Sequence, residues 1–244
     1  AFIPAYVFQT EKFYDLMGSI TYLSVMWFSL ASTSEQFTAL NGANIAIVLL
    51  ITLWALRLGT FLFMRIHKDG EDKRFRSIKP SATQFFMTWT LQGLWVSMCS
   101  MCALTAISSE TGVVMNALFY IGLGLFIYGF CTEIIADNQK SKFRSIPENR
   151  DKFITTGLWA KSRHPNFFGE IVLWAGIAVM SFSSLNGLQY LTLISPVFTY
   201  LLLVYVSGVR MLEARADKKW GQDEEYVKYK SETPVLMIKY LGRP

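Results

Sequence analysis

Charge is what this chain has least of. Only 17% of its 244 residues are Asp, Glu, Lys or Arg, where a soluble domain has about a quarter. Apolar runs take the place of the charge, and each is long enough to cross a bilayer as a helix, which excludes soluble strands. Histidine and cysteine are also scarce, at two and three residues. Cys99, Cys102 and Cys131 all sit in apolar stretches, and no ligand-type spacing joins them to His67 or His164. No metal centre is expected, and the thiols read as packing residues. Cys99-Ser100-Met101-Cys102 has the spacing of a redox pair but no charged neighbour to favour a thiolate. There is no Gly-x-Gly-x-x-Gly after a strand, no Walker loop and no His-Glu-x-x-His. A nucleotide, if bound, is therefore bound without a Rossmann domain. A basic start followed by a small-residue cleavage site is also lacking, so no cleavable signal peptide is expected. Starting at Ala1 in an apolar stretch, the sequence reads as the remainder of a longer chain whose first span is missing or shortened.

What is present is apolar and periodic. Hydrophobic residues make up 52% of the chain, aromatic residues 15%, and the mean hydropathy is +0.31. Residues 1–8 are apolar but too short to cross a bilayer. Six stretches, roughly 14–31, 43–64, 84–107, 113–136, 167–184 and 187–207, have the 17–25 residues a span needs. The expected fold is all-α: a polytopic helical membrane bundle of six to seven transmembrane helices. One transmembrane domain covers 1–244 and leaves no room for a second large one. The connecting loops alternate. Residues 32–42, 108–112 and 185–186 hold no Lys or Arg; 65–81 hold six, 137–166 seven, and the tail from Arg210 eight. The positive-inside rule then places both long loops and the C-terminus in the cytosol. A further span before residue 9 would start on the outer side.

Several polar groups are out of place in such a chain. Glu133, Asp137, Lys140, Ser141 and Arg144 recur at three- and four-residue steps, so they share one face as the fourth span leaves the membrane. Carboxylates there can accept from ribose hydroxyls, and Arg144 can clamp a phosphate; a solvated helix end with its own ion pairs fits the same spacing. The stretch Ser162-Arg163-His164-Pro165-Asn166-Phe167-Phe168-Gly169-Glu170 runs from a charged loop into an apolar helix. Pro165 suits a first helical turn, and a helix N-terminus beside Lys161 and Arg163 favours an anion. Asn166 and Glu170 share a face, and a carboxylate one turn into a membrane helix is costly without a job or a partner. An interfacial anchor fits this stretch equally. Arg57 and Gln92 lie inside spans, where Arg lines polar cavities and Gln serves either a site or helix–helix contact. Phe8-Gln9-Thr10-Glu11-Lys12-Phe13-Tyr14 is a polar knot between apolar stretches; Glu11 in a low-dielectric cavity would suit a proton donor.

These residues resemble those of the steroid 5-alpha-reductase family, and more closely its branch carrying Gly-Glu-Asp-x-Arg-aromatic between spans. Gly70-Glu71-Asp72-Lys73-Arg74-Phe75 matches that signature, and Leu91-Gln92-Gly93 matches a Leu-Gln-Gly in the next span. Asp137 with Arg144, seven residues on, matches an acid–arginine pair, and Asn166-Phe167-Phe168-Gly169-Glu170 matches Asn-Phe/Tyr-x-Gly-Glu. The resemblance covers about 54–244 well and 1–53 loosely. It implies a seven-helix membrane enzyme that reduces a carbon–carbon double bond conjugated to a carbonyl, using NADPH. It implies a cofactor-binding half over about 65–244, with Asp137, Arg144, Asn166 and Glu170 as cofactor residues, joined by Arg74 and Gln92. Arg163, Glu133 and Arg57 are added to this set from their own positions in the chain, Glu133 standing where the steroid branch tends to have Asn. The family's catalytic group is a Gln-Glu pair and a Tyr. Here Gln9 and Glu11 are separated by Thr10 and Trp54 stands where Tyr is expected, so either Tyr14 or another residue substitutes, or the substrate differs from a 3-oxo-4-ene steroid.

The expected activity is NADPH-dependent reduction of a lipophilic, steroid- or sterol-like substrate that enters from the bilayer. Membrane lipid is an expected partner and nucleic acid is not. Two other functions fit the same residues. Isoprenylcysteine carboxyl methyltransferases also carry Arg-His-Pro-x-Tyr/Phe-x-Gly before a membrane helix and use S-adenosylmethionine. A non-catalytic lipid-binding protein on the same scaffold is the other.

Overall fold

The computed structural model describes residues 1–34 and 41–238. Most of the loop 32–42 and the end of the basic tail, with Lys239 and Arg243, lie outside the described residues. Among these residues there are helices and no strands. The elements are α1 (Phe2–Val7), α2 (Tyr14–Ser34), α3 (Gly42–Asp69), α4 (Ala82–Ile107), α5 (Ala117–Ser145), α6 (Pro165–Ser181), α7 (Ile194–Leu201), α8 (Val209–Trp220) and α9 (Glu224–Glu232). Five helical stretches are long and apolar enough to cross a membrane: Gly42–Asp69, Ala82–Ile107, Ala117–Ser145, Pro165–Ser184 and Gly187–Trp220. Helix α2 has the length, at 21 residues, but Asp15 and its many hydroxyls make it less apolar. The run expected at 187–207 is a helix in pieces. A 3-10 stretch leads into α7, a π-helical turn covers Leu202–Val206, and the chain breaks at Gly208 before α8.

The chain divides into two compact units, 1–115 with 181–192, and 116–180 with 193–244. In the first unit α2 lies along α3 and α4. Its close approach to α3 depends on Gly59, where a Cβ would run into the Ser19 side chain. One end is latched by two asparagines. Asn41 caps α3, accepting from the Ala43 amide at 2.8 Å and donating to the Val113 carbonyl at 3.0 Å. Buried Asn44 accepts from the Val113 amide at 2.8 Å and donates to the Ile107 carbonyl at 3.3 Å. The loop after α4 is thereby held to the start of α3. The other end is an aromatic cluster around Ala5, Phe75 and Phe85, which seats α1.

In the second unit α5 and α6 touch backbone to backbone at two glycine pairs. A Cβ on Gly122 would lie 2.5 Å from the Gly176 carbonyl oxygen, and one on Gly129 would lie 2.5 Å from that of Gly169. Both pairs are seven residues apart on their helices, about two turns, so one seam of each helix lacks side chains. Small residues are how membrane helices approach this closely.

Candidate functional site

The residues singled out by sequence fall in both units. In the second, Pro165 opens α6 and the tail covers the turn before it. The Arg163 amide donates to the Pro234 carbonyl at 2.9 Å and the His164 amide to that of Val235 at 3.1 Å. The fully buried Ser162 hydroxyl donates to the Leu236 carbonyl at 2.9 Å. The chain at 234–236 thus uses the amides of Arg163 and His164. An anion at this helix start would have to be met by side chains.

Those side chains converge on one carboxylate. Glu213 of α8 pairs with the Arg163 guanidinium and, at 2.7 Å, with His164 Nε2. Lys230 of α9 lies 3.6 Å from the same carboxylate and 2.5 Å from Asp217. Burial lowers the His164 pKa from its ordinary 6.5, and Lys140 and Arg163 act in the same direction. Glu213 opposes them without prevailing. The folded unit therefore binds fewer protons at His164 than the unfolded chain does, so acidification from pH 6.5 downward favours unfolding. Thermal melting at pH 7.5 and 5.5 should show a loss that is smaller in His164→Gln; an equal loss in both proteins would remove His164 from the acid response.

The carboxylates expected on one face are there. Helix α5 continues to Ser145, and Glu133 and Asp137 are buried on it, 2% and 6% exposed. Glu170, 8% exposed, follows Gly169 on α6. The Gly129–Gly169 crossing brings the two helices together here: a Cβ on Gly169 would lie 2.8 Å from the Glu133 amide nitrogen. All three carboxylates engage other groups of the fold, as a buried charge must. Asn166 is half-buried and Arg144 exposed. Beside them the Lys140 ammonium sits 4.3 Å above the Trp159 ring, whose Nε1 donates to the Ala136 carbonyl at 3.0 Å. The loop 156–161 is folded onto α5 in this way.

Two buried atoms here have no hydrogen-bond partner among the described residues, His164 Nδ1 and Arg163 Nε. A buried polar atom left unpaired is costly and suggests a ligand or an ordered water. Carboxylate acceptors, a guanidinium and an imidazole nitrogen make up the donor and acceptor set that a ribose, a phosphate and an amide require.

In the first unit the structure brings Glu11, Asp72, Arg74 and Tyr14 to one end. Glu11 is 2% exposed and both its oxygens are taken, one by the Asp72 amide at 2.9 Å and one by Lys79 Nζ at 2.5 Å. The Arg74 Nε donates to Asp72 at 2.7 Å. Burial alone would raise the Asp72 pKa, but the Arg74 hydrogen bonds and charge outweigh it and hold the carboxyl below its usual range. The Tyr14 hydroxyl donates to the Thr88 carbonyl at 2.9 Å. Gln92 donates to the Tyr14 carbonyl at 2.8 Å, acting as a tie between α4 and α2. Gln9 is exposed, and its side-chain amide donates to the Tyr6 carbonyl at 2.8 Å. Trp54 packs edge-on against Tyr22, and Arg57 lies 5.1 Å over the Phe61 ring. Sequence reasoning did not find Lys79, Glu213, Asp217 or Lys230. No period or motif links them to their partners, although a basic tail holding isolated acids was a signal that such acids have partners.

A family model described as "Protein of unknown function (DUF1295)" matches residues 1–233. A curated protein of Ustilaginoidea virens named "Probable O-methyltransferase ustE" is 30% identical over 116 residues, which is 41% of this chain. The match spans 41% of that relative's length. No solved structure matches.

Proposed function

The chain belongs to the DUF1295 family, and we propose that it is a membrane oxidoreductase that uses NADPH to reduce a carbon–carbon double bond conjugated to a carbonyl in a lipophilic, steroid- or sterol-like molecule. The observation that carries this is the trio Glu133, Asp137 and Glu170, buried on α5 and α6 near their crossing, together with the unsatisfied nitrogens of Arg163 and His164 in the turn that leads into α6. When bound, the nicotinamide supplies the hydride. Glu133, Asp137 and Glu170 accept hydroxyl and amide hydrogens, and Asn166 offers an amide on the Glu170 face. Arg144 and Arg163 meet the phosphates. In the first unit, taken by itself, Arg74 and Arg57 are the candidate cations and Gln92 ties α4 to α2. Glu11, with Gln9, Tyr14 and Trp54, is the proposed substrate side. A donor near the carbonyl stabilises the charge that develops there. The basic loops and C-terminus face the cytosol in this reading, and substrate enters from the bilayer.

Methyl transfer from S-adenosylmethionine is the second reading, favoured by the relative named an O-methyltransferase. Both cofactors carry adenosine, so the two readings share residues and differ in what is consumed. Purified protein should bind NADPH, and Glu170→Ala should weaken that binding about tenfold, the scale of one charge-assisted hydrogen bond. Unchanged affinity in a folded variant removes Glu170 from the pocket. Binding of S-adenosylmethionine without NADPH replaces reduction by methyl transfer, and binding of neither leaves lipid binding.

A further inference from the structure

Away from these residues, the second unit holds a cleft of about 490 Å³ between the end of α5, the loop after it and the turn from α8 to α9. Three aromatic side chains line it, Phe143, Phe153 and Trp220, and so do three acids, Asp151, Asp223 and Glu225. Lys152 is the lone cation among the lining residues. A cleft with two more acids than bases stands out in a chain whose net charge is +5. Rings and carboxylates together are the chemistry that holds organic cations: the ring faces attract positive charge and tolerate methyl groups, and the acids add Coulomb attraction. The fold already uses this chemistry at the rim. The Lys219 ammonium lies 4.8 Å over the Trp220 ring and 2.8 Å from an Asp151 oxygen. That pair accounts for Asp151, and Asp223 caps α9 by accepting from the Glu225 and Tyr226 amides. Glu225 is exposed and makes no ion pair among the described residues. The walls are tied down: Trp220 Nε1 donates to the Asp151 carbonyl at 2.7 Å, and Phe153 packs against Trp220, Tyr226 and Tyr229. The volume lies within the range of small-molecule sites.

We propose that this cleft binds a quaternary ammonium group, seated among Phe143, Phe153 and Trp220 and countered by Glu225. The group is either free choline or the choline headgroup of a lipid at the membrane surface. The site does not depend on the cofactor reading.

Two measurements on the whole detergent-purified protein test it. Choline chloride is titrated calorimetrically against sodium chloride, and lipid retained from mixed phosphatidylcholine and phosphatidylglycerol nanodiscs is read by native mass spectrometry. Each is repeated with Glu225→Lys, which reverses the charge at this exposed position, after its melting has been matched to that of the native protein. Choline should bind in the millimolar range, and at least tenfold more weakly to the variant. Saturable choline binding without preference between the lipids identifies the free cation. Phosphatidylcholine retained preferentially by the native protein and not by Glu225→Lys identifies the headgroup. Heats equal to those of sodium together with no lipid preference, or binding unaffected by Glu225→Lys, overturn the proposal.

Discussion

Replacing Gly129 by valine should cost the second unit about 3 kcal/mol and lower its melting temperature by about 6–12 °C. The reason is geometric. A Cβ there would lie 2.5 Å from the Gly169 carbonyl oxygen and 2.6 Å from the Leu173 amide nitrogen. Both are backbone atoms, which cannot rotate away as a side chain can, so α5 and α6 must separate. Glu133 is one turn along, and Glu170 follows the partner glycine. Separation would draw these carboxylates apart and should weaken the proposed cofactor binding as well. The control lies on the same helix: Gly124 has nothing within 4 Å of its Cβ position. Gly124→Ala should leave melting unchanged or raise it by the ~1 kcal/mol that alanine gains over glycine in a helix. The two variants melted side by side decide the matter, and a Gly129→Val protein within about a degree of the native one would refute the close crossing.

A comparable loss is expected in the first unit from Glu11→Ala. The Glu11 carboxylate is 2% exposed and the Lys79 side chain 16%, and the two lie 2.5 Å apart. Removing one member of a buried pair leaves the other charged without compensation, at a cost of about 3–5 kcal/mol. The Asp72 amide loses its acceptor in the same change. Melting should fall by about 10 °C, and the double change Glu11→Met with Lys79→Met should recover part of it, since a hydrophobic pair of similar size can replace a buried ion pair while the Asp72 amide stays without its acceptor. A single variant that melts normally would mean that the pair does not hold the segment after α3 to the N-terminal knot. Glu11→Gln separates this holding role from chemistry. It keeps an acceptor for Asp72 but removes the carboxylate charge, so in the proposed reaction it should slow turnover more than it weakens cofactor binding. Normal turnover would assign Glu11 to structure alone.

Long apolar runs were legible because a bilayer demands a fixed length of helix: α2, α3 and α4 contain the stretches 14–31, 43–64 and 84–107 whole, while α5 begins at Ala117, inside the stretch 113–136, and α6 ends at Ser181, short of 184. The helices overrun those stretches where backbone hydrogen bonding continues past the last apolar residue. Helix α5 reaches Ser145, and for that reason Glu133, Asp137 and Arg144 share one helix. The break at Gly208 is written in Ser207-Gly208, but hydropathy does not register it. Gly122, Gly129, Gly169 and Gly176 were visible as small residues at seven-residue intervals; which helices they join is a tertiary fact. Pairings such as His164 with Glu213, 49 residues apart, or Glu11 with Lys79, 68 apart, have no local period to announce them. The aromatic and acidic lining of the cleft at Trp220 is likewise drawn from three separate stretches of chain.

The covering of Arg163 and His164 by the chain at 234–236 has a consequence for the order in which the molecule is made. Ser162 and its two neighbours are synthesised early, but the carbonyls that accept from them follow about 70 residues later, 74 in the case of Leu236. At a translation rate of roughly 5–20 residues per second, that is a delay of roughly 4–15 seconds. During that interval α6 can already be inserted, while the polar turn before it still faces water. The turn before α6 is therefore among the last parts of the second unit to be covered, and a nascent chain halted before residue 234 should show an intact α5–α6 pair whose Arg163 and His164 amides still exchange freely with solvent.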